Sequence, residues 1–214
     1  METMVIPGMS NIPEVKIAVL GGSTTIGANF PRAYEGVEVI EDNIVFETPF
    51  GPTAPFTHAK VDGKEFLYVD FHGINRQIRN TEPDSSGERV FYVLWKAGVK
   101  KIIGTALCGS SNRLLDPADA VIPDDFVDFT TKRPQMLMVS LQDKGEDVPR
   151  YSYRLHQPIC PTISDSLVEA CENAGFPRVF KRGIVGVAEG PRLESPAEIK
   201  LMYQNLGIDL SLIH

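Results

Sequence analysis

The segment "VKIAVLGG" (Val15–Gly22) decides the fold class of this sequence. It is a short, mainly apolar run that ends in two glycines, which is typical of a buried, parallel strand with a loop at its carboxyl end. The segment "KKIIGTALCGS" (100–110) has the same form, because an apolar run again enters a Gly-Ser loop. Two such strands favour an α/β protein with a parallel component in its sheet.

The segments around these strands predict the remaining architecture. Asp62-Gly63 lies between two alternating runs and predicts a hairpin turn. Asp42-Asn43 predicts a turn between two further strands. A helix is expected from Ser85 to Gly98, with Val90, Phe91, Leu94 and Trp95 as its apolar face, and a second one in "PTISDSLVEACENAG" (161–175). We therefore expect one domain over residues 1–214, with a mixed central β-sheet flanked by helices.

Composition limits the classes of partner. The chain has 214 residues, 21 basic and 28 acidic, so its formal net charge is −7. A surface with that charge repels nucleic acids and anionic membranes on average, and neither is expected as a partner. The three cysteines have no metal-ligand spacing, and their odd number argues against a disulfide framework. These features predict a cytoplasmic protein without a metal site.

The segment "GVAEGPRLESPAEIK" (186–200) concentrates charge at one sharp corner. Ser195, Pro196 and Glu198 form a strong helix start, which gives Glu198 a structural role. Glu189 and Glu194 precede that helix and follow a predicted strand, at the sheet edge where open α/β folds bind ligands. Local chemistry leaves two interpretations open, a ligand site and a solvated loop in which Arg192 makes an ion pair.

Several short motifs occur in one order along the chain. They are "VLGGST", "TPFG", "FHG", "TALCGS", "DFVDFTTKRPQ", "PICP" and "AEGPRLESPAEI". This set resembles the trimeric branch of the nucleoside phosphorylase family, which contains purine nucleoside phosphorylase and methylthioadenosine phosphorylase. "DFTTKRPQ" and "EGPRLESPAE" are most similar to the methylthioadenosine type. The resemblance implies an enzyme of purine salvage that cleaves a purine nucleoside with phosphate, as a homotrimer without metal or organic cofactor.

The resemblance also implies roles for individual residues. The phosphate-binding residues are expected to be Ser23, His72 and Ala106. The residues expected to line the nucleoside and its base are Leu107, Cys108, Leu193, Glu194, Ile213 and His214. Thr130, Thr131 and Arg133 match a loop that supports the site or a subunit contact. Ser23, His72 and Glu194 are expected to surround one cavity.

The sequence departs from the family pattern at three places. Phe71 stands where the family has an arginine that clamps phosphate, and Ala106 lacks the side-chain donor expected near that position. The family's catalytic acid or amide is expected beyond His214, which suggests that the chain is truncated at its carboxyl end. These departures leave three functions open: a methylthioadenosine-like phosphorylase, a 6-oxopurine nucleoside phosphorylase, for which the Glu194 carboxylate is suited, and a diverged or non-catalytic nucleoside-binding relative.

Overall fold

A computed structural model describes residues 11–25, 27–71, 86–149, 154–190 and 192–213. The helices are α1 (Ser86–Lys96), α2 (Leu137–Asp143), α3 (Pro161–Asn173) and α4 (Pro196–Lys200), with a 3₁₀ turn at Ser23–Thr25 and a π-helical turn at Leu201–Asn205. The strands are β1 (Ile17–Gly21), β2 (Val37–Ile44), β3 (Phe56–Val61), β4 (Lys64–Asp70), β5 (Lys101–Gly104), β6 (Gly109–Ser110), β7 (Ala120–Val121), β8 (Asp125–Asp128), β9 (Val179–Phe180), β10 (Ile184–Ala188) and β11 (Leu210–Ile213).

The described residues divide into two compact units. Unit 1 lies within Met1–Leu107 and Arg133–Tyr151, and unit 2 lies within Cys108–Lys132 and Ser152–His214. The expected mixed sheet flanked by helices is confirmed, and its strands are distributed over three sheets. The extension of one domain over residues 1–214 stays a prediction.

Unit 1 contains a five-stranded sheet in the order β2-β3-β4-β1-β5. The central strand β1 is parallel to both β4 and β5, whereas β2, β3 and β4 form an antiparallel meander. Asp62 and Gly63 have φ values of 48° and 74° and connect β3 to β4, so the predicted hairpin is confirmed. The parallel strands bring three carboxyl ends to one edge of this sheet.

The predicted turn at Asp42-Asn43 is wrong. Both residues belong to the single strand β2, whose register against β3 shifts between Glu41 and Ile44. Arg32 makes a two-pronged contact with the Asp42 carboxylate, which also accepts a hydrogen bond of 2.7 Å from the Thr57 hydroxyl. These partners hold Asp42 in the strand. Asn43 adopts a left-handed conformation, with φ 55°, at a bulge within β2, so its turn propensity does not end the strand.

The core of unit 1 lies between its sheet and α1. It includes Val15, Ala18, Phe46, Phe56, Leu67, Val69, Val90, Val93, Leu94 and Ala97. Of the four residues predicted for the apolar face of α1, Val90 and Leu94 are buried, whereas Phe91 and Trp95 are 40% and 39% exposed. The helix therefore buries Val93 and Ala97 in place of Phe91 and Trp95, so its apolar face is rotated relative to the predicted one. Its predicted end at Gly98 is confirmed, because the Gly98 and Val99 amides donate to carbonyls of the last turn.

Unit 2 contains a four-stranded sheet in the order β6-β11-β10-β8 and a parallel pair of β7 with β9. The strand β10 is parallel to both β11 and β8. The predicted second helix is α3, which ends before Gly175 at φ 80°. The helix α2, which follows the loop after β8, packs on α1 within unit 1.

The part of the chain that the structure describes has neither a membrane-spanning helix nor a cluster of metal ligands. None of its helices is both long and apolar enough to cross a bilayer. Its histidine, cysteine, aspartate and glutamate side chains include no group of three or more that could hold a metal ion.

Candidate active site

In unit 1, three parallel strands end side by side. Leu20 of β1 pairs with Gly104 of β5, and Gly21 pairs with Asp70 of β4. The chain continues from β1 into Gly22 and the 3₁₀ turn, and from β5 into 105–107. These loops form the carboxyl edge of the sheet, where α/β folds bind anionic ligands.

Gly22 and Thr105 are in close contact at this edge. A Cβ atom on Gly22 would lie 1.5 Å from the Thr105 carbonyl oxygen, so only glycine fits there. The Gly22 amide donates to Thr105 Oγ1 over 3.2 Å, and the hydroxyls of Thr24 and Thr105 are 2.6 Å apart. Sequence reasoning overlooked Thr105, although it directly precedes the predicted Ala106. This threonine ties the loop after β1 to the loop after β5.

Ser23 and Leu107, both predicted site residues, are joined directly. The Leu107 amide donates to Ser23 Oγ over 2.8 Å. Because the hydroxyl oxygen accepts this bond, the hydroxyl hydrogen remains available to donate to an anion. The neighbouring Ala106 is exposed and has no polar side-chain atom. The arrangement therefore offers one serine donor at the sheet edge.

Phe71 occupies the position at which the family pattern has an arginine. Its amide donates to the Gly21 carbonyl over 2.8 Å, which continues the pairing of β4 with β1. Its ring packs on the core of unit 1 and lies 6.3 Å, centroid to centroid, from the ring of Phe91. The side chain is therefore part of the apolar packing against α1. His72, the next predicted phosphate ligand, lies outside the described residues.

In unit 2, Glu189 follows β10 and organises the loop after β8. One of its carboxylate oxygens accepts hydrogen bonds from the amides of Thr131 and Lys132, at 2.8 and 3.2 Å. These residues belong to the loop that the resemblance assigned to site support. Glu189 thus has a positioning role that local sequence reasoning did not identify.

Glu194 is bound by a residue that sequence reasoning also overlooked. Its Oε1 accepts a hydrogen bond from the hydroxyl of Ser211 on β11. Ser211 is buried, at 4% exposure, whereas the neighbouring Leu193 is 76% exposed. Ile213, two residues further along β11, pairs with Ala188 of β10. His214 lies outside the described residues.

Arg192 makes the ion pair that one interpretation of the corner predicted. Its two terminal nitrogens lie 2.7 and 2.6 Å from the two carboxylate oxygens of Glu198. Glu198 also accepts from the Ser195 amide, and the Ser195 hydroxyl accepts from the Glu198 amide, so the predicted capping box is confirmed. The hydrogen bonds from Arg192 lower the pKa of Glu198 to about 2. The contacts of Arg192 and Glu198 therefore stabilise the backbone at the start of α4.

Cys108 is a further predicted nucleoside-lining residue, and it lies in unit 2. Burial raises the pKa of its thiol. The group remains a neutral thiol near pH 7, which suits an apolar contact and does not suit a nucleophile.

A family model described as the phosphorylase superfamily matches residues 16–211. The chain belongs to this superfamily. The ordered sequence motifs had indicated the same family, and that prediction is confirmed.

Several members of the superfamily are similar over most of the chain. A 6-oxopurine nucleoside phosphorylase of Pyrococcus furiosus is 32% identical over 91% of this chain and 69% of its own length. An S-methyl-5'-thioadenosine phosphorylase of Thermococcus kodakarensis is 28% identical over 86% of this chain and 64% of its own length. The chain thus spans about two thirds of these relatives.

A solved structure shows the same fold. Methylthioadenosine phosphorylase from Schistosoma mansoni in complex with adenine matches with a TM-score of 0.75 and 22% identity, over 93% of this chain and 73% of that chain. This likeness confirms the predicted nucleoside phosphorylase-like fold.

The predicted site residues fall into two groups. Ser23, Ala106 and Leu107 lie in unit 1, and Cys108, Leu193, Glu194 and Ile213 lie in unit 2. Contacts join Ser23 to Leu107, and join Glu194 to the unpredicted Ser211. Their roles in binding, and the expectation that Ser23, His72 and Glu194 surround one cavity, stay predictions.

Proposed function

We propose that this protein cleaves the N-glycosidic bond of purine nucleosides with phosphate, and releases the free purine and ribose 1-phosphate or its 5-methylthio derivative. The observation that carries the proposal is the glycine turn of unit 1, because Gly22 lies against Thr105 and leaves the Ser23 hydroxyl at the sheet edge. The printed names of the relatives, a 6-oxopurine nucleoside phosphorylase and a methylthioadenosine phosphorylase, support the same reaction.

The chemistry needs positioning and charge matching more than covalent catalysis. Cleavage develops positive charge on the sugar and negative charge on the departing purine, while phosphate approaches the opposite face of the sugar. An enzyme accelerates this step by holding the reactants in line and by stabilising both charges. Phosphate is the co-substrate, and we propose no metal or organic cofactor.

Unit 1 supplies the proposed phosphate contacts. The Ser23 hydroxyl donates to a phosphate oxygen while its own oxygen accepts from Leu107, so the donor is oriented before the anion binds. Thr24 and Thr105 add two further hydroxyls to the same edge. His72 is the proposed second donor. These groups replace the arginine clamp, since Phe71 is engaged in apolar packing.

Unit 2 supplies the proposed base contact through Glu194. The leading substrate is methylthioadenosine, whose adenine offers a 6-amino donor. A 6-oxopurine nucleoside is the second candidate, because its N1–H matches a carboxylate, which is an acceptor only. The Pyrococcus furiosus relative, which is 32% identical, favours this second candidate.

The proposed assembly is a homotrimer in the cytoplasm. The trimer rests on the family resemblance, and the cytoplasmic location is supported by three free cysteines. Sedimentation of the full-length protein tests the assembly.

A phosphorolysis assay tests the reaction. The full-length protein is incubated with methylthioadenosine, adenosine or inosine, with and without phosphate, and base release is measured. We expect phosphate-dependent release, and a KM for phosphate about five- to tenfold higher in Ser23→Ala, which lacks one hydrogen bond. The control is Ser166→Ala, because that exposed hydroxyl donates to the Thr162 carbonyl of its own helix. Nucleoside affinity without base release would instead support a non-catalytic relative.

A further inference from the structure

Thr105 receives two hydrogen bonds at the carboxyl edge of the sheet of unit 1. The Gly22 amide donates to Thr105 Oγ1 over 3.2 Å, and the Thr24 hydroxyl donates to the same oxygen over 2.6 Å. A hydroxyl oxygen has two lone pairs, and this arrangement uses both of them. The hydroxyl hydrogen of Thr105 is therefore the part of the group that is left to bind a further partner.

The Gly22 amide decides which of the two threonine hydroxyls donates outwards. A hydroxyl that accepts a hydrogen bond becomes a stronger donor, because each bond in a chain polarises the next. Thr105 already accepts from the amide, so an anion is bound best when Thr24 donates to Thr105 and Thr105 donates to the anion. The two hydroxyls then supply one donor between them, and Thr105 carries it.

Ser23 is arranged in the same way and lies on the same two segments of the chain. Its oxygen accepts from the Leu107 amide over 2.8 Å, which leaves its hydrogen to donate. The hydrogen bonds of Ser23 and Thr105 thus both join residues 22–24 to residues 105–107. Thr105 and Leu107 are exposed, so a ligand from solvent can reach this junction.

Thr105 directly precedes Ala106, which lacks a side-chain donor. Its hydroxyl is oriented by two partners before any ligand binds, so binding requires little reorganisation. We infer that Thr105 is a phosphate-binding residue that supplies the donor missing at Ala106, and that Thr24 orients it without binding phosphate itself. The inference rests on the proposed function, because it takes the glycine turn as the phosphate site.

Calorimetric titration of the full-length protein with inorganic phosphate tests the inference. Thr105→Val keeps the shape of the side chain but removes its hydroxyl, and should raise the Kd about tenfold, the effect of one charge-assisted hydrogen bond. Thr105→Ser keeps the hydroxyl and should restore most of the affinity. Thr24→Val should raise the Kd only about twofold, because Thr105 keeps its amide partner and its hydrogen. Thr162→Val, a change at an exposed threonine of α3, is the control.

Hydrogen exchange in the wild-type protein provides a test that needs no variant. The Gly22 and Leu107 amides each donate to a hydroxyl, at Thr105 and Ser23 respectively. Each hydroxyl becomes a stronger acceptor when it donates to an anion, so phosphate should slow exchange of both amides about threefold. The Gly175 amide, which donates to a carbonyl at the end of α3, is the internal control and should not respond.

The outcomes separate this inference from the proposed function. Phosphate binding that Thr105→Val weakens, in a protein that releases no purine, would overturn the proposed function and support the inference. Phosphate-dependent cleavage with an unchanged KM for phosphate in Thr105→Val would do the reverse. A greater loss of affinity in Thr24→Val than in Thr105→Val, slower exchange at Leu107 without an effect at Gly22, or no binding of phosphate would also overturn the inference.

Discussion

The carbonyl oxygen of Thr105 occupies the space that a side chain on Gly22 would need. The closest approach of an added Cβ atom is 1.5 Å, and the obstructing atom belongs to the backbone, so a side chain cannot be accommodated by a rotamer change. The loops that follow β1 and β5 therefore pack directly against each other through main-chain atoms.

Substitution of Gly22 by alanine is expected to separate these two loops. The displaced loop would break the contacts of Ser23 with Leu107 and of Gly22 with Thr105, so kcat/KM for the nucleoside should fall at least tenfold. Phosphorolysis assays at saturating and limiting phosphate measure the loss. Gly87→Ala is the control, because Gly87 lies in α1 with open space around it. Full activity in Gly22→Ala would show that this contact is not needed.

Phe71 is expected to be a packing residue. Phe71→Ala should lower the free energy of unfolding by about 2–3 kcal/mol, because it removes a ring that packs on the core and on Phe91. Phe71→Arg should also destabilise the protein and should not lower the KM for phosphate. Urea unfolding and phosphate titration measure the two effects, with Phe176→Ala as the control on an exposed ring. Tighter phosphate binding by Phe71→Arg would contradict this assignment.

Glu189 is expected to protect two amides of the loop after β8. Loss of its carboxylate in Glu189→Ala should accelerate hydrogen exchange at Thr131 and Lys132 about tenfold, since each amide loses a charge-assisted acceptor. Glu189→Gln keeps an acceptor oxygen and should have a smaller effect. The control is Glu172→Ala on α3. Unaltered exchange in Glu189→Ala would refute the role.

Asp42 is expected to make stability depend on pH in the acid range. Its hydrogen bonds with Arg32 lower its pKa from 3.8 to about 2. A carboxylate whose pKa is lower in the folded state stabilises the protein at any pH above its pKa in the unfolded state. This stabilisation is lost as the pH falls towards the pKa in the folded state. Above pH 5, the free energy of unfolding of the wild type should therefore be about 1 kcal/mol higher than that of Asp42→Asn, after allowance for solvent screening.

Denaturant unfolding between pH 7 and pH 2.5 measures this difference. It should shrink from about pH 4 downwards, as the Asp42 carboxylate becomes protonated. Asp143→Asn, a change on an exposed carboxylate, is the control. A wild-type advantage that grows on acidification would refute the assignment.

Features set by neighbouring residues were predictable from the sequence. The Asp62-Gly63 turn, the end of α1 at Gly98 and the capping box of Ser195 with Glu198 each depend on residues a few positions apart. Their side-chain and backbone preferences therefore appear directly in the local pattern.

Features set by distant partners were not predictable. Thr105 contacts Gly22 across 83 positions, and Ser211 contacts Glu194 across 17. At Asp42, local turn propensity was outweighed by Arg32 and by pairing with β3. These roles follow from strand register and loop placement, which a local pattern does not encode. The family resemblance pointed to Ser23, Leu107 and Glu194 but not to Thr105 or Ser211.

The position of β1 in its sheet has a consequence for biosynthesis. This strand leaves the ribosome before either neighbour, yet it pairs only with β4 and β5, which end at Asp70 and Gly104. The meander of β2, β3 and β4 needs only local contacts and can form during translation, whereas the second edge of β1 must wait for residue 104 to emerge. The glycine turn is therefore translated early and completed late, and during that interval the nascent chain exposes an apolar strand to chaperones.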